Sequence, residues 1–235
     1  MSAPATVDEP MVATLPDAAE SPAVATPAPL RMSYEEWLAW NYEGGLSEWV
    51  DGEVIIHMPA KPEHQRVVDF LNRLLGLFVQ LFKLGEVYGA PLSMRAIPNG
   101  RAREPDLLFI AGEHQDRLTE KELAGPADLA IEIISDDSVA RDRADKFYEY
   151  QHGGVREYWI IDPRAEQQRV DVYVLDGRGR YQPIPAVDGV YHSSVLPGFW
   201  LREDWLWADQ PNPLAALAEV VGVERVIGAL HATNT

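Results

Sequence analysis

The chain has 235 residues, 46% of them hydrophobic and 24% charged, with a formal net charge of -17 at pH 7. That length and balance suit one sizeable core with appendages in a soluble globular protein. Cysteine is absent, which excludes disulfides and thiolate metal sites, and the acidity argues against tight, sequence-independent phosphate binding over a broad surface.

Residues 1–30 hold six prolines and no aromatic residue, too little apolar surface to offset ordering entropy, and read as a disordered Pro/Ala-rich tail. Ser33 and Glu36 have capping-box spacing, so a short helix is expected from Ser33. Two alternating runs, Leu46–Val50 and Glu53–Ile56, flank Asp51-Gly52 and predict a hairpin. Pro62 suits a helix's first turn. The apolar positions Val67, Val68, Leu71, Leu74, Leu75, Phe78, Leu81 and Phe82 have helical spacing and mark the largest helix.

A strand is expected near Val87 to Met94, then a loop at Pro98-Asn99-Gly100. Two apolar runs come next that each carry an internal carboxylate: Glu104–Ile110 with Asp106, and Asp128–Ser135 with Glu132. A helix from about Val139 to His152 should end at Gly153-Gly154. Glu157–Asp162 and Val170–Val174 read as strands, Asp176–Gly179 as a turn, and Pro213 to Leu230 as one amphipathic helix. No apolar run is long enough to span a bilayer, and no secretory signal is evident, so a cytoplasmic protein is expected.

The two carboxylate runs carry the chemistry. Acids are rarely buried among Leu and Ile unless paired or metal-bound, so two within thirty residues suggest one acidic site. A hard cation such as Mg²⁺ would bind there through oxygen. Asp106 follows Pro105, which is confined to strand starts and edges, and so sits at a sheet end. Glu132 shares a face with Ala130 and Ile134 by period-two alternation; its bland alternative is a salt bridge to Arg95, Arg101 or Arg103. Lys146 lies at the margin of a helical face bearing Ala140, Ala144, Phe147 and Gln151. Its stem can reach a sheet end, or it can form a surface pair with Asp142. Glu48, before the hairpin turn, and His64, at the start of the long helix, are weaker candidates. The six histidines form no tight ligand cluster.

These residues match a known pattern. SYEEWL (33–38), EWVDGEVI (48–55), HQ (64–65), EPDLLFI (104–110), DLAIEIISDDS (128–138), RDRADKFYEYQHGGVREYWIIDP (141–163) and LPGFWL (196–201) resemble the Uma-two family of restriction endonucleases, a branch of the PD-(D/E)XK nuclease superfamily. The resemblance covers roughly residues 32–205 and is most specific from Asp128 to Pro163. It implies an α/β (α+β) fold with a mixed central β-sheet flanked by helices, preceded by a helix and β-hairpin. The domain division is then 1–30 tail, 31–208 nuclease domain, and 209–235 C-terminal helix and tail.

The resemblance also implies that Asp106 and Glu132 are the metal-binding acids, joined by the Ile133 backbone carbonyl, with Mg²⁺ as cofactor and Mn²⁺ as a substitute. The superfamily places a lysine two residues after the glutamate, where this chain has Ile134. In this branch a lysine on the following helix, here Lys146, takes its place. Glu48 corresponds to an additional N-terminal acid. The implied activity is hydrolysis of DNA phosphodiesters by metal-activated water, by a homodimer or higher assembly.

Two other readings stay open: a catalytically idle nuclease fold serving as a binding or oligomerisation module, and a hydrolase of another phosphoester. No DNA-reading module is evident. Arg95, Arg101, Arg103, Arg141 and Arg143 form either a phosphate patch or partners for the site carboxylates.

Overall fold

Local signals decide the N-terminal elements. The computed structural model describes residues 29–40, 46–136 and 138–232, so nearly all of the expected Pro/Ala-rich tail lies outside the described residues. A short strand β1 (Leu30–Arg31) leads into helix α1 (Tyr34–Ala39), and Ser33 and Glu36 close both halves of the capping box. Strands β2 (Ser47–Val50) and β3 (Glu53–Ile56) form the hairpin, with β1 added on the β3 side. Both turn residues have positive φ, 52° at Asp51 and 90° at Gly52, as a two-residue primed turn requires.

Helix α2 (Pro62–Phe82) carries Pro at its first turn and buries Val67, Phe70, Leu71, Leu74, Leu75, Phe78 and Val79. At about 1.5–3 kcal/mol per fully buried side chain, that stripe is a main anchor of the core before entropy is subtracted. Next comes β4 (Gly85–Gly89). It stops short of the expected Met94, because Pro91 has no N–H to continue a ladder. Met94 pairs instead with Arg103 in an isolated bridge.

Strands β5 (Leu107–Ala111) and β6 (Leu129–Ile133) come next, then helix α3 (Lys146–Gly153) and strands β7 (Glu157–Asp162), β8 (Arg169–Leu175) and β9 (Tyr181–Ile184). Together they build a six-stranded sheet in the order β4-β5-β6-β7-β8-β9. The β6–β7 pair is parallel and the rest are antiparallel. The parallel pair needs a crossover, which α3 supplies. Gly154, at φ 87°, ends α3. Among the described residues no helix is long and apolar enough to cross a membrane.

The C-terminal part departs from the sequence reading. Strand β9 is unannounced, since it contains Pro183; proline is tolerated there because β9 is the sheet edge. Two short paired strands, β10 (Val190–His192) and β11 (Trp200–Arg202), and the single-turn helix α4 (Asp204–Trp207) were also not expected. The single helix expected from Pro213 to Leu230 is two, α5 (Pro213–Val221) and α6 (Val223–Ala232), broken at Gly222 with φ 86°. A left-handed residue cannot continue a right-handed helix.

Alternation along β5 and β6 sorts the core onto two faces. Leu107, Phe109, Leu129, Ile131 and Ile133 pack on α2 and the C-terminal elements, with Trp159, Phe199 and Leu201. Leu108, Ile110, Ala130 and Ile134 face α3, with Tyr150, Tyr158 and Tyr181. Glu132 has the parity of the α3 face, and so does Asp106.

Candidate active site

The register of β5 on β6 brings the two acids together. Leu107 faces Ile131 and Leu108 faces Ala130, so one further step sets Asp106 opposite Glu132 on the same face. The step beyond sets Pro105 opposite Ile133. An ordinary residue there would donate its N–H to the Ile133 carbonyl, but proline has none. The Ile133 N–H is taken by the Asp106 side chain, with Oδ2 at 2.7 Å. The Pro-Asp pair therefore ends the ladder, clamps Asp106 against Ile133, and leaves the Ile133 carbonyl without a donor from β5.

Lys146 reaches the acids through a helix irregularity. Residues Arg141–Asp145 form a π-turn just before α3, and the Lys146 N–H bonds to the Arg141 carbonyl rather than to that of Asp142. The released Asp142 carbonyl accepts the Tyr158 hydroxyl at 3.0 Å. One inserted residue rotates the rest of the helix by about 100°, which corrects the marginal position of Lys146 on an unbroken helical wheel. The residue is 2% exposed. Its Nζ lies 2.9 Å from Glu48 Oε1, 2.9 Å from Glu132 Oε2 and 3.3 Å from Asp142 Oδ1. The Asp142 contact is thus real but buried, not a surface pair.

The hairpin delivers Glu48. Trp49 exchanges backbone hydrogen bonds with Ala102, which docks β2 against the segment entering β5 and points Glu48 inward. Its Oε2 accepts from Arg103 Nη1 at 3.0 Å, and Arg103 bonds to Glu149 through Nη2 at 2.9 Å. Glu132 Oε1 accepts the Tyr150 hydroxyl at 2.8 Å. The expected alternative for Glu132, an arginine partner, is therefore not realised. Arg103 serves Glu48 and Glu149, Arg101 binds Asp51, and Arg95 lies 3.7 Å above the Tyr34 ring. Arg143 pairs with Asp171. Of the five arginines read as a phosphate patch, only Arg141 lines the cleft. His64 Nε2 lies 3.4 Å from Asp106 Oδ2.

Burial pushes the Glu48 carboxyl up, but Lys146, His57 and Arg103 together outweigh it and hold it well below the usual carboxylate range. Glu132 goes the other way: burial, reinforced by Asp142, Asp106 and Glu48, raises it well above that range despite Lys146. Burial likewise pushes Glu104 up to about 8 against the Ser47 N–H. Burial disfavours charge on Lys146, yet Glu132, Glu48 and Asp142 hold its pKa above the ordinary amine value. Asp106 similarly outweighs burial at His64 and raises it. One carboxylate of the set is held ionised and another is pressed toward its neutral form, a separation common where groups divide acid and base roles.

Asp106, Glu132, Ile133, Lys146, Glu104 and His64, among others, line a cleft of about 250 Å³. Around it Glu48, Asp106, Glu132, Asp142 and Glu149 are buried against two buried cations, Lys146 and Arg103. That surplus of negative charge suits a cation. No group of three or more His, Cys, Asp or Glu side chains stands ready as a closed metal cage among the described residues. Mg²⁺ does not need one, since it keeps several waters and commonly uses one or two carboxylates plus substrate oxygens. Asp106, Glu132 and the Ile133 carbonyl are an oxygen set of that kind.

Sequence reasoning named Arg103 as one possible carboxylate partner among several arginines, and missed Glu149, Tyr150, His57 and the depth of Asp142. The spacing Asp142, Lys146, Tyr150 was a usable signal, three polar groups four residues apart beside an acidic strand. Glu149 sits on α3 itself beside Tyr150, and His57 follows the hairpin with no local mark.

Comparisons with known proteins bear on the family and the fold. No curated protein matches the chain. A crystal structure from Anabaena variabilis, described as "a putative nuclease belonging to DUF820", superposes with a TM-score of 0.60 at 18% identity, covering 74% of this chain and 96% of that one. At that identity the likeness establishes the fold. The family model Uma2, described as "Putative restriction endonuclease", matches residues 33–204, most of the described chain and every site residue above. The chain belongs to the Uma2 family.

Proposed function

We propose that this protein is a metal-dependent endodeoxyribonuclease that hydrolyses phosphodiester bonds with Mg²⁺, for which Mn²⁺ can substitute. The observation that carries the reading is Lys146. A buried amine lies within 3 Å of Glu132 and of Glu48, in the cleft that Asp106 borders. A helix irregularity and a hairpin acid converge on this one lysine, beside the strand-ending Pro-Asp that borders the same cleft.

In this reading Asp106, Glu132 and the Ile133 carbonyl hold the metal, which when bound supplies an activated water and charge stabilisation on the phosphoryl group. The chain's own residues do the rest. Lys146 carries a fixed positive charge at the cleft, placed to orient a water and to offset negative charge developing on phosphate oxygens. Glu48 anchors that amine and Arg103 anchors Glu48. Tyr150 holds Glu132 in a single orientation. His64 steadies Asp106 from the α2 side.

The test is cleavage of plasmid, single-stranded and branched DNA with Mg²⁺ or Mn²⁺, beside Asp106→Ala and Lys146→Ala variants confirmed as folded. Nicking by the parent and not by the variants is expected. No metal-dependent cleavage of any of these, together with no metal binding by calorimetry, refutes the reading and leaves the fold as a binding or oligomerisation module.

A further inference from the structure

Arg141 differs from the other arginines near the site in what holds it. Arg101, Arg103, Arg143 and Arg164 each close on a carboxylate. Arg141 forms no such pair among the described residues. Its Nη2 lies 3.3 Å from Nδ1 of His57. Its Nε is the one arginine nitrogen among the described residues that is buried without a hydrogen-bond partner. A buried donor left bare is costly unless something fills it.

The choice of partner has an electrostatic meaning. A carboxylate steadies a guanidinium and cancels its charge, whereas an imidazole nitrogen that accepts its N–H steadies it without adding negative charge. For Nδ1 to accept from Arg141, the ring proton must sit on Nε2, which faces Glu48 Oε2 at 3.6 Å. The His57 ring thus lies between Glu48 and Arg141 and positions the guanidinium. The outcome is a positioned guanidinium with no carboxylate partner among the described residues, on a cleft otherwise crowded with carboxylates. A guanidinium offers parallel N–H groups that match two oxygens of a phosphate.

We infer that Arg141, oriented by His57, forms an anion subsite that grips a backbone phosphate of the nucleic acid in this cleft. The inference rests on the nuclease reading for its ligand class. It also addresses the difficulty posed by the net charge of -17: attraction for phosphate is concentrated at one fixed group instead of spread over the surface.

The test measures binding of fluorescein-labelled duplex and single-stranded DNA to the full chain carrying Asp106→Asn, with Mg²⁺, across a salt series. Adding Arg141→Gln is expected to weaken affinity about ten- to a hundred-fold. It should also make the slope of log affinity against log salt shallower by about one. Arg141→Lys should keep the slope while losing part of the affinity, since the charge stays and the fork goes. A purely structural role would not change the salt slope. Parental affinity and slope in Arg141→Gln overturn the inference. Where that variant melts below the assay temperature, Arg141→Lys decides, and parental affinity there overturns it. Cleavage by the Asp106 protein separates the two claims. A parent that cuts, with Arg141→Gln cutting at the same KM, sinks the subsite and leaves the nuclease. A parent that binds DNA through Arg141 yet never cuts sinks the nuclease and leaves the subsite. A parent that binds neither DNA sinks the subsite as well.

Discussion

Replacing Lys146 by methionine keeps most of the apolar stem and deletes the charge from the centre of the buried network. The amine lies 2.9 Å from Glu48, 2.9 Å from Glu132 and 3.3 Å from Asp142. Coulomb attraction at 2.9 Å is about 6 kcal/mol per contact at an effective dielectric of about 20, and desolvation offsets much of it. Glu48 keeps Arg103, and Glu132 keeps Tyr150. Asp142 Oδ1 has no hydrogen bond to fall back on. The expected loss is therefore about 3–5 kcal/mol, the range for stripping one partner from a buried pair, and not three times that. For a domain of this size it lowers Tm by roughly 6–20 °C.

The pH dependence has a definite sign. Left without the amine, the Glu132 carboxyl has its folded pKa raised further above its unfolded one, so it binds more protons folded than unfolded. The stability deficit is then smallest near pH 4.5, the ordinary glutamate value that Glu132 already exceeds in the parent, and grows as the pH rises. Calorimetric melts with chelator at several pH values read this directly. A Lys146→Met/Glu132→Gln double variant should regain about 0.5–3 kcal/mol through coupling. A single variant melting within about 2 °C of the parent at pH 8, well short of the range worked above, refutes the claim that this amine neutralises the buried acids.

Three further outcomes are expected. Mg²⁺ at about a hundred times its dissociation constant should stabilise the parent by roughly 2.7 kcal/mol in thermal melts, and Asp106→Asn should abolish that shift. Pro105→Ala supplies an N–H opposite Ile133 and should weaken Mg²⁺ binding by calorimetry with little change in Tm; unchanged affinity would remove the Ile133 carbonyl from the metal set. Gly153→Ala places a Cβ 2.6 Å from the Ala96 Cβ, an overpacking that should cost about 1–3 kcal/mol in urea unfolding.

Where a feature depends on neighbours in the chain, the sequence alone determined it. The capping box at Ser33, the Asp51-Gly52 turn, the apolar stripe of α2 and the Gly154 stop all arise from interactions within a few residues, and they stand where spacing puts them. Period-two alternation also placed Glu132 on the face it occupies, because pleating is local. Family motifs marked Asp106, Glu132, Lys146 and Glu48 as a set without saying how they meet.

Tertiary structure decided the meeting. The β5–β6 register sets Asp106 opposite Glu132, and register depends on how two distant strands share a core. The π-turn that swings Lys146 inward is invisible to a regular wheel, since the inserted residue is recovered only by the Tyr158 bond to the Asp142 carbonyl. Arg103, one of three candidate partners for Glu132, instead serves Glu48 and Glu149. Charges that attract over a few ångströms pair by three-dimensional distance, and that distance exists only after the sheet, the hairpin and α3 have packed.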